Sequence, residues 1–567
     1  MSRRLSLLLA LALALGLLAG CGQDTPEPVM AGEGAFGAEA GSAVPVPSQE
    51  AQPQPSVHAS GTAGTFSMPY NSSYGWNPYS CIGMENRAVM NLIYEGLFTL
   101  NNSFDAEPML CKEYSVTDDG YVYTLTLQAA TFSSGKALTA DDVVYSLTQA
   151  RSSSLYSGRL IDISTYYSDG TDKVIIEMLR PNDRLPCLLT FPIVPSFANL
   201  ETAPPGTGPF VRSAPEVLTV NQDWWRGAKG LQFQSVTLYS SSSAEDTRDS
   251  FETDTIHLVY NNPNSSTAAT FHSNFELWNS RGTTMQYLAF NGTEGMFQDT
   301  AARVAVSHAI DRVGIAESVY HNFADAAVLP ASPYSSVYDE GLAQKYGFTS
   351  VKAATDELAA TQYFVLPRAG QSPSPSPSPE AEEEEEEEET DAEETEEEAA
   401  AASPSPSGAP HYNAITLVVR SGNLRRTAAA KAVAEDLNEV GFYVTVKELP
   451  SDEDEFFYSL HVDEWDILYG EVTLQPDFDL RPLLASGGSL AFGGLAGSGD
   501  LDYLLSKARE NSGNCYDLFE YIMDNGYLCP VLFLNNAVYT TRGVFTGLNP
   551  SPDCVFYQTN NIQVHYE

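Results

Sequence analysis

Basic residues are scarce in this chain. Lysine and arginine number 29 against 74 aspartates and glutamates, a formal charge of −45 over 567 residues. Such a surface repels phosphate backbones, which excludes nucleic acid as a partner. Histidine (8) and cysteine (7) are also few. No C-x-x-C pair occurs, and no second His or Cys stands at ligand spacing from His308, so neither a zinc site nor thioredoxin-like redox chemistry is signalled. The G-x-S-x-G elbow, H-E-x-x-H and the Rossmann glycine fingerprint are missing, as is S-x-x-K in a suitable context. The expectation is a protein that is not an enzyme and carries no metal or cofactor. Asp452 and Asp454 come nearest to paired acids, in a charged stretch where solvation accounts for them. Long apolar runs are lacking too: beyond residues 5–18 nothing approaches a membrane span.

That one run reads as an address. Arg3-Arg4 precede it, and Leu18-Ala19-Gly20-Cys21 sets small residues directly before a cysteine, like a bacterial lipobox. Residues 1–20 are expected to be a lipoprotein signal peptide. Cys21 would be the lipidated first residue of a chain anchored at the cell membrane, facing the extracellular or periplasmic side. A retained membrane helix is the competing reading, and the position of the cysteine argues against it. Residues 21–61 are Pro-, Ala-, Gly- and Ser-rich and cannot bury enough apolar surface to offset ordering entropy, which predicts a flexible tether. Order should begin near Thr65-Phe66-Ser67-Met68. A second low-complexity stretch spans 370–410. Between Glu380 and Glu398 it holds fifteen acids and no base, flanked by Ser-Pro repeats. Its removal leaves −30, so the rest is acidic as well. A solvated, disordered insertion is the simple reading; a calcium-buffering or partner-binding role is the sharper one, but a plain Glu run lacks the spaced ligands and turn glycine of a calcium loop.

The roughly 500 remaining residues suggest two or three domains, and the most legible stretch lies between Asp118 and Leu147. Asp119-Gly120 signals a turn, and Tyr121, Tyr123, Leu125 and Leu127 alternate with polar or smaller residues, the period of a half-buried strand. After a second turn at Ser133-Ser134-Gly135-Lys136, Thr139 can cap a helix whose first turn carries Asp141 and Asp142. The whole string, ending Ala137-Leu138-Thr139-Ala140-Asp141-Asp142-Val143-Val144-Tyr145-Ser146, resembles bacterial extracellular solute-binding proteins of family 5, the oligopeptide- and dipeptide-binding components of ABC importers. Two departures stand out: Ser134 where Asp is usual and Ala137 where Pro is common.

The resemblance continues along the chain. Asn77-Pro78 and Ile93-Tyr94-Glu95-Gly96-Leu97 are similar to the family's opening turn and helix end, with Tyr94 and Leu97 expected in the core. Gly206-Thr207-Gly208-Pro209-Phe210 resembles its T-G-P-Y turn. A phosphate cradle is the rival there, and it lacks the Lys-Ser/Thr and the following helix. Met285-Gln286-Tyr287-Leu288-Ala289-Phe290-Asn291 is similar to the strand that crosses between lobes. Residues 302–312 resemble a family helix in which Ala309-Ile310-Asp311-Arg312 serve packing and a structural ion pair, and His308 reads as structural. Pro530-Val531-Leu532-Phe533-Leu534-Asn535-Asn536 is similar to the return strand. The implied fold is α/β, periplasmic-binding-protein-like type II: two lobes with a hinge plus an additional smaller domain. Lobe I would comprise 62–84, 185–286 and 530–567, the small domain 85–184 and lobe II 287–529, with hinges near 287–291 and 531–536.

Strands at Ile415-Thr416-Leu417-Val418-Val419, Phe442-Tyr443-Val444-Thr445-Val446 and Trp465-Asp466-Ile467-Leu468-Tyr469, with a helix from Ala428 to Val440 capped by Gly441, predict parallel pairing with a right-handed crossover. Ligands bind beyond the carboxyl ends of such strands, which directs attention to Gly470 through Leu474. There the resemblance fails informatively. Peptide-holding relatives carry W-x-x-D-Y-x-D-P, whose Asp meets the peptide ammonium; here Glu471 falls where Trp is usual and Leu474 where Asp is usual. The ammonium partner is missing or replaced by Glu471. Candidate ligand contacts are Tyr469, Glu471 and Gln475 from this lobe and Tyr74 and Trp76 from the other. The implied function is capture of a solute, in first place an oligopeptide, by a monomer that delivers it to an ABC permease and ATPase complex. A non-peptide solute, or a ligand sensor of the same fold that does not transport, is the alternative. A surface scaffold would account for the anchor but not for the importer motifs. Cys81, Cys111, Cys187, Cys515, Cys529 and Cys554 permit three disulfides, Cys515 with Cys529 or Cys554 among them, or remain free buried thiols.

Overall fold

A computed structural model describes residues 64–272, 274–361, 364–365 and 413–565. The expected signal peptide, lipidated Cys21, the tether and the acidic insertion lie outside them. The described residues build three larger sheets. In the first, Thr65–Tyr70 runs parallel to Ser235–Ser240, followed by Val217–Val220 and Phe210–Ala214. Phe66 anchors its core edge-on against Phe233 and Phe545, at ring distances of 5.3 and 5.0 Å.

The second sheet is antiparallel, in the order Cys111–Val116, Val122–Leu127, Lys173–Met178, Ile163–Asp169. Gly120 takes the left-handed conformation that the Asp-Gly turn requires (φ 76°). Tyr123, Leu125 and Leu127 then point inward while their neighbours stay half-buried. The period-two reading holds, except that Tyr121, expected on the same face, precedes the strand and is exposed. Helix Ala140–Arg151 packs on this sheet. Its start is a capping box: Asp142, three residues into the turn, accepts from Thr139 N–H (3.0 Å) and Thr139 Oγ1 (2.8 Å). Asp142 also accepts from Lys136 Nζ (2.5 Å) and Ser196 N–H (2.7 Å). Burial pushes its carboxyl up, but these donors outweigh burial and hold it below its ordinary range.

The third sheet has seven strands. Leu258–Asn261, Cys529–Thr541, Phe275–Phe290, Ile467–Thr473, Ala414–Arg420 and Tyr443–Leu449 follow in that order, with Ala324–Ala326 beside Cys529–Thr541. The last three are parallel to one another, and helix Leu424–Glu439 makes the crossover, as the alternation implied. Gly441 ends that helix at φ 107°.

Two expectations are corrected. Ile93–Leu97, expected to end a helix, lies outside it: the helix spans Met84–Met90 and stops short of that segment. The backbone of Leu92 and Ile93 turns its carbonyls outward to accept from Phe210 N–H and Gly208 N–H, both at 2.9 Å. A side chain at Gly206 would place Cβ 1.9 Å from Ile93 O, so the glycine turn exists for this close approach of two backbones. Tyr94 and Leu97 remain core residues, as expected. The second correction concerns Arg312, which makes no ion pair with Asp311. It is buried and donates to the carbonyls of Pro530 and Ser307 at 2.8 and 2.9 Å, while Asp311 caps helix Arg312–Ser318. His308 is buried, stacked on Phe348 and 2.8 Å from Glu357. All six described cysteines are free thiols. No helix among the described residues is long and apolar enough to cross a membrane.

Two substitutions check this reading. Asp142→Asn is expected to cost about 2 kcal/mol at pH 7. Because the folded carboxyl lies below its unfolded value, that contribution is full above about pH 4 and lost as the pH falls further; urea titrations at several pH values should show the wild type and variant converging in acid. Gly206→Ala should cost about 3 kcal/mol or more in the same assay, from overpacking rather than lost polarity.

Candidate functional site

The carboxyl edge of the parallel strands carries a connected polar row. Crossover helix Leu424–Glu439 starts directly after Ala414–Arg420, with Asn423 as its cap, and so sets Arg426 beside Glu471 on Ile467–Thr473. Arg426 Nη1 donates to Glu471 Oε1 at 3.1 Å, and both side chains are largely buried. Antiparallel pairing puts Gln286 of Phe275–Phe290 opposite Glu471, and Gln286 Nε2 donates to Glu471 Oε2 at 2.7 Å. The amide oxygen of Gln286 accepts from both Tyr320 and Tyr469 hydroxyls, each at 2.7 Å. Burial pushes both phenols well above their ordinary range, so they stay neutral donors and fix the orientation of the amide. Across from the row stands the loop after Leu258–Asn261: Asn423 Nδ2 donates to Asn264 O at 3.1 Å.

The expected contacts fall into separate groups. Tyr469 and Glu471 belong to this one row, but Tyr469 is fully enclosed and acts through Gln286. Gln475 lies half-buried just past the strand, and Leu474 is buried among apolar side chains. Trp76 is on the first sheet's side, buried and stacked on Tyr70 at 4.7 Å with the Arg212 guanidinium 4.4 Å from its ring. Tyr74 is exposed. Arg426 and Tyr320 went unnoticed in the sequence. The visible signal was Gln286, the amide inside the otherwise largely apolar run Met285–Phe290 at the end of the crossing strand.

Six residues beyond Glu471 begins a second polar assembly, a clasp between the antiparallel sheet and the segment following Ile467–Thr473. Asp162, just before strand Ile163–Asp169, accepts from Arg481 (2.5 Å) and Arg509 (2.9 Å). Arg509 also holds Asp477 at 2.8 Å, and Arg481 holds Asp479 at 2.7 Å. All five side chains are mostly buried. Asp479 is enclosed, which raises its carboxyl, yet Arg509 and Arg481 bring it below its ordinary range. Asn182 Nδ2 donates to Asp477 at 3.0 Å and Ser512 to Asp183 at 2.8 Å, so the clasp is broad.

Residues 105–365 match the model for bacterial extracellular solute-binding proteins, family 5 Middle. The peptide transport periplasmic protein SapA of Haemophilus influenzae is 24% identical over 365 residues, covering 51% of this chain and 63% of its own length. The chain thus spans less than two thirds of the curated relatives it matches. Among solved structures, a nickel ABC transporter protein from Bacillus halodurans superposes with a TM-score of 0.66 at 16% identity, covering 88% of this chain and 99% of the other. The oligopeptide-binding protein AppA of Bacillus subtilis, solved with a nonapeptide, does so with a TM-score of 0.53 at 17% identity, covering 91% and 100%. The fold is therefore the two-lobe α/β architecture of these binding proteins.

Removing one partner of a buried pair leaves the others uncompensated. Arg509→Ala should accordingly destabilise the protein by about 3–5 kcal/mol in urea titration, whereas Arg248→Ala, whose ion pairs on a surface helix face solvent, should leave the unfolding midpoint essentially where it is.

Proposed function

We propose, from the premise that this chain belongs to the bacterial extracellular solute-binding proteins of family 5, that it is the extracellular substrate-binding component of an ABC importer. It captures a peptide between two lobes and hands it to a permease driven by an ATPase. Lobe I comprises 62–84, 185–286 and 530–567, the small domain 85–184 and lobe II 287–529; Cys21 holds the protein to the membrane by lipid, and it works as a monomer. What supports the division is that Phe275–Phe290 and Cys529–Thr541 are the long strands shared by the hydrophobic cores on either side. The observation that carries the reading is the row of Arg426, Glu471, Gln286, Tyr320 and Tyr469, set at the carboxyl edge of parallel strands and facing the Asn264 loop. This is where open α/β sheets bind ligands. Glu471 and Gln475 line the solute from lobe II, Tyr469 positions the row, and Tyr74 and Trp76 line it from lobe I. Contacts with both lobes favour the closed form by their differential affinity.

A specific observation favours a second reading. Leu474 is buried and apolar where peptide-holding relatives place an Asp, and Glu471 is already neutralised by Arg426. A non-peptide solute, or a sensor that does not transport, fits that loss of a free ammonium partner.

A thermal-shift screen against di- to pentapeptides, oligosaccharides and metal chelates decides between them. A ligand at a hundredfold its Kd adds about 2.7 kcal/mol of stability. Stabilisation by peptides, lost in Glu471→Ala and accompanied by compaction in X-ray scattering, is the expected result. Response to another class alone would replace the peptide with that class, and ligand binding without compaction would contradict closure between lobes.

A further inference from the structure

The small domain shares one core with the first sheet: Tyr123, Leu125 and Ile176 belong to the cluster that holds Phe66 and Phe233. Phe104 does not. Fully buried, it belongs to a core of lobe II with Met285, Leu474 and Phe533, and meets Phe478 edge-on at a ring distance of 5.2 Å. Phe98 and Ala106, on the short strands to either side of it, stay with the Phe66 cluster. The turn that carries Phe104 is held locally, since Asn101 Oδ1 accepts from Ser103 N–H at 2.9 Å and from Asp105 N–H at 3.0 Å. Phe104 takes φ 60° and Phe478 φ 55°, left-handed backbone that bulky side chains rarely adopt. Strain of this kind persists only where the surroundings over-determine it, and it collects at clamps and switches.

The clasp beside this seat is built so that its halves can part. Asp477, Asp479, Arg481 and Arg509 all belong to lobe II and balance one another. From the small domain come Asp162, which keeps the exposed Arg180 at 3.4 Å, and Arg184, which keeps Asp105 at 3.3 Å. The bonds that cross are those of Asp162 to Arg481 and Arg509, Asn182 to Asp477, Ser512 to Asp183, and Arg184 to Ser336 at 3.3 Å. Separation therefore leaves every buried charge beside a counter-charge, which avoids the penalty of an unpaired ion. The contact is also imperfectly sealed. Arg184 Nε, Arg509 Nε and Asp477 Oδ1 are buried without a hydrogen-bond partner in the protein, and these three residues line one cavity of about 20 Å³ together with Cys515. Groups held unsatisfied in this arrangement gain water once it opens, which lowers the cost of opening.

We propose that Phe104 and the clasp form a latch: the small domain seats in lobe II when the lobes close and withdraws when they part. The small domain thereby sets the balance between open and closed forms, and the apparent affinity for any solute scales with that balance. The inference rests on the hinged two-lobe reading and is independent of which solute is bound.

Two native thiols report on the latch. Cys187 is buried and its Sγ donates to Phe104 O at 3.4 Å, while Cys515 lines the cavity; burial pushes the first thiol up to about 11 and the second up to about 12. Opening exposes both and restores their ordinary reactivity. Cys111 and Cys529 are buried in the Phe66 and Leu288 cores and serve as controls for unfolding. The full-length protein without ligand is treated with iodoacetamide and each cysteine is followed by mass spectrometry. Labelling of both Cys187 and Cys515 should be about tenfold or more faster than wild type in Asp162→Asn, which weakens a charged contact of the closed form alone. In Phe104→Ala it should be about a hundredfold faster, with Cys111 and Cys529 unchanged and a larger radius of gyration in X-ray scattering. Acceleration at all four cysteines would make the clasp a permanent part of the fold, and unchanged labelling at Cys187 and Cys515, or faster labelling without expansion, would leave no latch; each overturns the inference. None of these readouts involves a solute, so their failure leaves the solute-binding reading standing, and a screen in which no solute binds leaves the latch standing.

Discussion

The antiparallel pairing of Phe275–Phe290 with Cys529–Thr541 is the constraint on which the rest depends. Twelve residue pairs from Phe275↔Thr541 to Leu288↔Cys529 hold the two strands together. They feed several cores in turn: Val538 to the one around Phe66, Leu288 and Leu532 to the one around Val433, Met285 and Phe533 to the one around Leu501, and Ala537 and Tyr539 to the cluster with Phe251. A ribbon that belongs to several cores cannot slip without repacking them all. Its register is nevertheless broken twice, between Arg281 and Thr284 and between Gln286 and Tyr287. At the first break Gly282 lets Leu534 O come so close that a Cβ would sit 2.3 Å away. The second falls at the residue whose amide organises the polar row. Register shifts of this kind re-aim side chains, and here a polar one lies next to Glu471 rather than in an apolar core.

How much of this could be read from the chain follows the range of the interactions. The Asp-Gly turn, the alternation of Tyr123, Leu125 and Leu127, the Thr139 cap and the strand–helix–strand run after Ala414 were legible because each is decided within a few residues. The helix from Met84 was misjudged at its end. The apolar spacing through Leu97 suits a helix, but the hydrogen bonds of Leu92 and Ile93 go to a turn more than a hundred residues away. The supposed Asp311–Arg312 ion pair failed for a similar reason: the carbonyls that hold Arg312 come in part from Pro530. Glu471 was singled out by its place after a parallel strand. Its partners Arg426 and Gln286 are 45 and 185 positions distant and left no periodic trace.

Electrostatics in this chain is handled by local compensation rather than by net charge. Across the clasp, Asp162, Asp477 and Asp479 meet Arg481 and Arg509 in a nearly closed set, and Glu95 is enclosed between the indoles of Trp224 and Trp225, which donate at 3.0 and 2.7 Å. Burial raises the Glu95 carboxyl despite those donors. The strongly acidic exterior and the balanced interior are therefore separate matters: the first governs what approaches the protein, the second what holds it.

Strand Thr65–Tyr70 pairs with Ser235–Ser240 and packs against Phe545, while Asp553 accepts from Leu100 N–H at 3.2 Å. The first-formed part of the first sheet is thus completed by residues synthesised hundreds of positions later. Until the segment around Phe545 and Phe556 has emerged, Phe66 lacks much of its packing. Loop closure over such separations is slow relative to helix formation. A nascent chain of this architecture spends its synthesis with one core open, and its late stages, rather than its early ones, decide whether it folds or aggregates.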